Sequence, residues 1–270
     1  MPQGALLVVG LGLMGGSLAA AASAAGWRVL LHHRRPEPMQ EARQRGWGEP
    51  CPDLGAAEAD IAVICTPVEH IVAQARALGP GVRAITDVGS VKGELCRALR
   101  DEPRFVGSHP MCGSHRQGLQ HADPDLYRGA LCIVTPDGRE EAQVQAVETL
   151  WRSLGCRLLR LSPEEHDRAV AAVSHFPHVV AHLAAQRLDP RNAALAAGGF
   201  RDVTRIAGAS PELWVGIFLA NREAVLAELA VAAGSLEALR QALAAGDPEA
   251  VRCWLAAGHA GRCCYEASRG

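Results

Sequence analysis

Three groups of residues in this chain have the types and spacing to do chemistry: a glycine-rich run, a pair of arginines, and a cluster of histidines. Gly10-Leu11-Gly12-Leu13-Met14-Gly15 follows the aliphatic run Ala5 to Val9 and opens the small-residue segment Ser17 to Ala25. In a strand–turn–helix context, Gly10 allows the tight turn and Gly12 lets the backbone approach a pyrophosphate. Gly15 lets helix and strand pack closely. Leu13 and Met14 lie within this glycine loop as candidate cofactor contacts, and the helix expected over Ser17 to Ala25 offers its free N-terminal N–H groups to phosphate. Past a second strand, Arg28 to His32, the chain reads His33-Arg34-Arg35, and its first acid beyond is Glu37. An acid there would bond a ribose 2′-hydroxyl, whereas a guanidinium favours a 2′-phosphate. The cofactor expected is NADP, with NAD as the second choice; a solvated basic turn is the plain alternative.

Other polar residues gather further along. Thr66, Ser90 and His109 follow or end aliphatic runs that read as strands, where open α/β sheets place their ligands. Ser174-His175-Phe176-Pro177-His178, with His182 one turn on, leaves three readings open: a metal site, packed or capping histidines, and a substrate-facing wall. No H-E-x-x-H pattern or nearby Cys or Asp completes a ligand set, so no metal is expected. In Gly198-Gly199-Phe200-Arg201-Asp202-Val203-Thr204-Arg205, an arginine could take a carboxylate bidentately; a surface pair between Asp202 and Arg205 is the alternative.

The elements needed to position these residues are also legible. Further strands are expected at Ile61 to Cys65, Ala84 to Val88, Phe105 to Gly107, Leu131 to Val134 and Cys156 to Leu161, with helical patterns such as Val91 to Arg100 and Glu140 to Leu154 between them. This alternation predicts an α/β fold, a Rossmann-type doubly wound, mainly parallel sheet. From Pro163 the pattern turns helical: Glu164 to Arg187, Asn192 to Ile206, Pro211 to Ala233, Leu236 to Ala245 and Pro248 to Ala257, with Gly234, Gly246 and Gly258 as stops. The expected division is a dinucleotide-binding domain, 1–162, and an all-α substrate and dimerisation domain, 163–270. Ala-rich helices with little charge need a partner surface, so a homodimer through the C-terminal helices is expected.

Composition narrows the classes. With 27 basic and 29 acidic side chains the net charge is −2, which excludes a protein working through attraction to nucleic acid or membrane. The nine cysteines are odd in number and scattered, and read as reduced thiols in a cytoplasmic protein. Ala5 to Gly26 carries no charge, but the leader Met1-Pro2-Gln3 has no basic residue and five glycines interrupt the run, against a secretory or spanning segment.

Taken together, the motifs resemble the prephenate and arogenate (cyclohexadienyl) dehydrogenases of tyrosine biosynthesis. The resemblance is carried by Gly10 to Leu18, Asp87-Val88-Gly89-Ser90-Val91-Lys92, Gly107-Ser108-His109-Pro110-Met111-Cys112-Gly113, and His166-Asp167 before Ser174 to His178. It continues through Gly199 to Arg205 to about residue 216. It implies oxidative decarboxylation of prephenate to 4-hydroxyphenylpyruvate with hydride transfer to NADP, or of arogenate to tyrosine as the alternative. His109 would be the base or hydrogen-bond acceptor for the hydroxyl being oxidised, and Ser90 would hold the same hydroxyl near the nicotinamide. His175, His178 and Arg205 would line the pocket for the dicarboxylate, with Asp202 orienting Arg205. His115 stands where several prephenate-using relatives carry an acid. Within these 270 residues no mutase or regulatory segment is expected. A β-hydroxyacid dehydrogenase would use a helix lysine, and the one lysine here, Lys92, lies in the N-terminal half. A non-catalytic NADP-binding sensor is the alternative outside enzymes.

Overall fold

A computed structural model describes residues 3–113 and 116–268. Its centre is a parallel five-stranded sheet in the order β3-β2-β1-β4-β5, formed by β1 (Ala5–Val9), β2 (Arg28–His32), β3 (Glu49–Pro50), β4 (Ala59–Ile64) and β5 (Val82–Asp87). Strands covered on both faces read as continuous aliphatic runs, and β1 is buried at every position. Alternate side chains divide between two cores. Leu6 and Val8 join Leu31 and Val63 on one face, while Leu7 and Val9 join Ile64 and Ile85 on the other. The helices α1 (Leu13–Ala24), α2 (Pro36–Gln44) and α3 (Val68–Ala77) make the crossovers. The winding reverses between β1 and β4, so a crevice opens beyond their carboxyl ends, where Gly10 and Thr66 follow.

After the short α4 (Gly93–Ala98), a three-stranded sheet continues alongside: β6 (Gly107–Pro110), β7 (Leu131–Thr135) and, beyond α5 (Glu141–Ser153), β8 (Arg157–Arg160). β6 runs antiparallel to β7 and β7 parallel to β8. A parallel bridge between Ile85 and Phe105 ties this sheet to β5. Phe105 therefore makes the link, and the strand proper begins at Gly107 and carries His109. The two-residue β3 is too short to leave a sequence signal.

The remainder is helical. α6 (Pro163–Val170) starts on a capping box, with Ser162 Oγ accepting from the Glu165 N–H and Glu165 accepting from the Ser162 N–H. One wide π turn, Ala171–His175, joins it to α7 (Phe176–Gln186). The expected helix from Glu164 to Arg187 is thus continuous in path but not in hydrogen bonding. Pro177 has no N–H, and its ring would press on the Val173 carbonyl four residues back; the wider turn relieves both. α8 (Gly198–Thr204), α9 (Pro211–Ala220), α10 (Arg222–Ala245) and α11 (Pro248–Ala267) follow. Several helix limits differ from expectation, and the segment Asn192 to Ile206 is α-helical only as α8, between 3₁₀ turns. The run Pro211 to Ala233 breaks at Asn221, while Gly234 and Gly258 lie inside helices. A helical glycine costs only about 1 kcal/mol, which Ala- and Leu-rich flanks offset. Gly246, at φ +64°, does end α10.

The chain divides into two compact units, Met1–Arg222 and Glu223–Gly270. Among the described residues no helix is long and apolar enough to cross a membrane. All nine cysteines are free thiols.

Candidate active site

The glycine turn is built from backbone. Gly10, at φ +94°, turns the chain out of β1 while its N–H donates to the His32 carbonyl at 2.8 Å. A Cβ on Gly15 would lie 1.8 Å from the Gly10 carbonyl oxygen, so only glycine lets α1 approach the strand this closely. At Gly12 the situation reverses: a Cβ there would meet nothing within 4 Å. The first turn of α1 has neither a capping side chain nor an acid, and Leu13 and Met14 are half-buried there. Tyr127 Oη fixes this turn by donating to the Met14 carbonyl at 2.8 Å. Thr66 flanks it, its hydroxyl donating to Gln74 Oε1 at 2.6 Å and its methyl facing Gly10. Uncapped N–H groups behind an open glycine fit a pyrophosphate. At the end of β2, Arg34 and Arg35 are exposed, and the Arg35 N–H donates to His33 Nδ1 at 3.1 Å. Burial pushes the His33 imidazole below its ordinary value, leaving a neutral ring beside Arg34 and Arg35.

The second half of the site is built from side chains. His109 is buried on β6, and its Nδ1 lies 2.9 Å from His166 Nε2; His166 Nδ1 lies 2.8 Å from Asp167 Oδ1. A carboxylate only accepts, so His166 carries its proton on Nδ1 and accepts at Nε2. His109 then donates from Nδ1, which leaves its Nε2 with a free lone pair. Asp167 is anchored in turn by the N–H groups of Lys92 and Gly93, each at 2.8 Å. Burial pushes the Asp167 carboxyl up, but the His166 bond and these two N–H groups outweigh it and hold it below the usual range. Burial, then His166, Lys92 and His175, push His109 well below the ordinary imidazole value. Burial also lowers His166, so both rings are neutral near pH 7.

Beneath them, Lys92 and Asp87 form a fully buried ion pair. Lys92 Nζ also donates to the Ser108 carbonyl at 2.8 Å, and Asp87 accepts from the N–H groups of Ser108 (3.1 Å) and Gly89 (2.8 Å). This pair ties β6, which carries His109, to the β5–α4 connection, which carries the half-buried Ser90.

Across the helical segment, His175 is buried on the π turn, with Trp214 and Phe218 edge-on to its ring at 5.8 and 6.5 Å. His178 stacks on Trp214 at 3.5 Å. Burial brings both imidazoles down to about 4, and Arg205 adds to the effect at His178. The structure therefore brings His109, His175, His178 and Arg205 into one electrostatic neighbourhood. Asp202 departs from expectation. Its carboxylate meets the adjacent Arg201 at 3.3 Å, both exposed, rather than orienting Arg205. His115 lies outside the described residues. No group of three His, Cys, Asp or Glu able to hold a metal occurs among the described residues.

Sequence reasoning gave no role to His166, Asp167, Asn221 or Trp214. A signal for the first existed: Pro163, His166 and Val170 share one helical face, and all three are buried, so His166 points into the protein.

Comparison with known proteins identifies the family. The family model described as prephenate dehydrogenase, nucleotide-binding domain, matches residues 18–160. The model for the prephenate dehydrogenase dimerization domain matches residues 162–257. The chain belongs to the prephenate dehydrogenase family. A family member from Bacillus subtilis, a prephenate dehydrogenase, is 36% identical over 241 residues, which is 82% of this chain and 65% of that protein. The present chain thus spans just under two thirds of that relative's length. Among solved family structures, prephenate dehydrogenase from A. aeolicus, crystallised with hydroxyphenyl propionate and NAD+, superposes with a TM-score of 0.87 at 29% identity, covering 97% of this chain and 98% of that one. Arogenate dehydrogenase from Synechocystis gives 0.82 at 28% identity, covering 97% and 99%.

Proposed function

We propose that this family member oxidatively decarboxylates prephenate to 4-hydroxyphenylpyruvate with NADP, arogenate being the alternative substrate. The observation that carries the reaction type is the chain Asp167–His166–His109, which leaves an unprotonated, neutral nitrogen at His109 Nε2. An alcohol carbon that surrenders hydride must also lose its hydroxyl proton, and a fixed neutral imidazole takes it. His166 and Asp167 hold the ring in that tautomer and stabilise the imidazolium that forms. Ser90 holds the same hydroxyl from the β5–α4 connection. His178 and Arg205 receive substrate carboxylates, with Arg205 supplying the cation. Loss of carbon dioxide is driven by the aromaticity gained in the substrate ring, so no residue need act on the departing carboxylate.

Gly10, Gly12, Leu13, Met14, Gly15 and Thr66 would hold the dinucleotide, and a bound nicotinamide would supply the hydride acceptor. The exposed Arg34 and Arg35 beside the neutral His33 support a 2′-phosphate. We take residues 1–162 as the dinucleotide-binding domain and 163–270 as the substrate and dimerisation domain. The exposed Leu226, Leu229, Val231 and Leu236 support a homodimer through the C-terminal helices.

The test is a two-by-two assay of prephenate and arogenate with NAD+ and NADP+, repeated on Arg34→Ala. Turnover is expected with NADP+ preferred, and Arg34→Ala should raise KM for NADP+ about tenfold or more while sparing NAD+. No turnover in any combination would reject the enzyme assignment. Equal loss for both cofactors would reject the phosphate contact.

A further inference from the structure

One buried donor in this region lacks a partner. His175 Nε2 is fully enclosed and without a hydrogen bond; among the described residues the other such atom is His178 Nδ1. Buried polar groups are nearly always paired, so an unpaired one beside a candidate site calls for an explanation, and a ligand oxygen would supply the missing partner.

Whether His175 Nε2 is a donor or an acceptor follows from Asn221, at the break between α9 and α10. The Asn221 side-chain nitrogen donates to the Asp167 backbone carbonyl at 2.8 Å, which fixes the orientation of the amide, since a carbonyl can only accept. The same nitrogen lies 3.1 Å from His175 Nδ1. An amide nitrogen offers only protons, so His175 Nδ1 accepts and is bare. Burial keeps this imidazole neutral at pH 7, with its protonation near 4, and the single remaining proton is on Nε2.

We propose that Asn221 is a positioning residue that locks His175 in its Nε2–H form, making it a neutral donor to an anionic oxygen of the substrate. The identity of that substrate rests on the dehydrogenase reading above; the tautomer does not. The two site histidines are then set in opposite states from one residue. Asp167 acts through its carboxylate and His166 to leave a lone pair on His109. Through its backbone carbonyl it orients Asn221, which leaves a proton on His175. Trp214 and Phe218 lie edge-on to the His175 ring. A neutral donor serves here because burial disfavours a charge on the His175 ring, and His166 adds to the effect.

The experiment is two-bond ¹H–¹⁵N correlation of the full-length, ¹⁵N-histidine-labelled protein at pH 7, with the His175 signals assigned by their loss in His175→Gln. The expected spectrum has a protonated Nε2 and a bare Nδ1 on His175; a proton on Nδ1 overturns the proposal. In Asn221→Asp, whose carboxylate accepts at Nδ1, the proton should move to Nδ1. KM for the carboxylate substrate should rise about 10- to 100-fold, the range for a hydrogen bond to a charged group, with kcat changing far less. An unmoved tautomer, or an unchanged KM with the tautomer moved, overturns it. Should Asn221→Asp not fold, the wild-type spectrum still decides. Should neither prephenate nor arogenate be turned over, the reaction assignment fails, while the tautomer is read on the free protein regardless.

Discussion

The glycine turn and the histidine cluster solve the same problem, presenting fixed dipoles to a ligand, with opposite materials. At Gly10, Gly12 and Gly15 the work is done by backbone, and what matters is the absence of side chains: one position needs a positive φ, one needs no Cβ against a carbonyl, one needs open space. At His109, His166, Asp167, Asn221 and His175 the work is done by side chains whose proton positions are dictated by their neighbours. A backbone dipole points one way whatever surrounds it. An imidazole is donor or acceptor only by arrangement, so the second region must be buried, tightly paired and dependent on partners most of which are distant in sequence.

The sharpest way to break this contrast is to remove the proton acceptor. His109→Asn should lower kcat by about 10²- to 10⁴-fold, the usual weight of general-base help, and leave dinucleotide affinity, measured by titration, unchanged. Near-normal turnover would move the base elsewhere. The glycines then separate from one another. Gly15→Ala forces a methyl into the Gly10 carbonyl and should cost about 1–3 kcal/mol of stability even without a ligand. Gly12→Ala should leave the melting temperature within about 1 °C, since substitutions facing open space cost little, yet weaken dinucleotide binding. Equal melting temperatures for the two variants would contradict the distinct roles of the two positions.

Acid gives the most gradual difference. The folded pKa of His175 is depressed to about 4 by burial. Above its unfolded value, about 6.5, the ring is neutral in both states and costs nothing. As pH falls from there towards 4 the unfolded chain binds the proton first, so stability falls across that window and levels off below it. For His175 the loss is on the order of 3 kcal/mol. Urea midpoints between pH 7 and pH 4 measure it, and His175→Gln should flatten the slope. An unchanged slope in that variant would place the sensitivity at other groups.

The same contrast explains what the sequence disclosed. The glycine turn was legible because its requirements are local: strand, turn and helix follow one another within 20 residues, and each glycine has a steric reason to be there. The parallel sheet was legible from aliphatic runs such as Ala5–Val9 and Ala59–Ile64. His109 could be named as a polar residue at the end of a strand, and His175 as one of a histidine cluster within an expected helix. Their partners could not be assigned, because His166 reaches His109 across 57 positions and Asn221 reaches Asp167 across 54. Sequence spacing holds no information about such pairings; only the tertiary path of the chain does. The same limit explains Asp202. Its neighbour Arg201 and the more distant Arg205 are equally plausible partners in one dimension, and local geometry selects Arg201. The helix stops failed for a different reason. Gly234 and Gly258 are compatible with helix when their flanks are strong formers, so glycine alone does not punctuate Ala-rich segments.

The buried ion pair beneath the site has one more consequence, for the protein's reagent chemistry. Lys92 is the chain's one lysine, and its side chain has no exposed surface. Apart from histidines and the α-amine, every cation the protein shows to water is therefore a guanidinium, which keeps its charge at any pH a protein survives. Amine-directed crosslinkers and acylating agents find no side chain on the folded molecule. The ε-amine becomes reactive only when the core opens, so its rate of labelling is a built-in clock for opening events that expose the floor of the site.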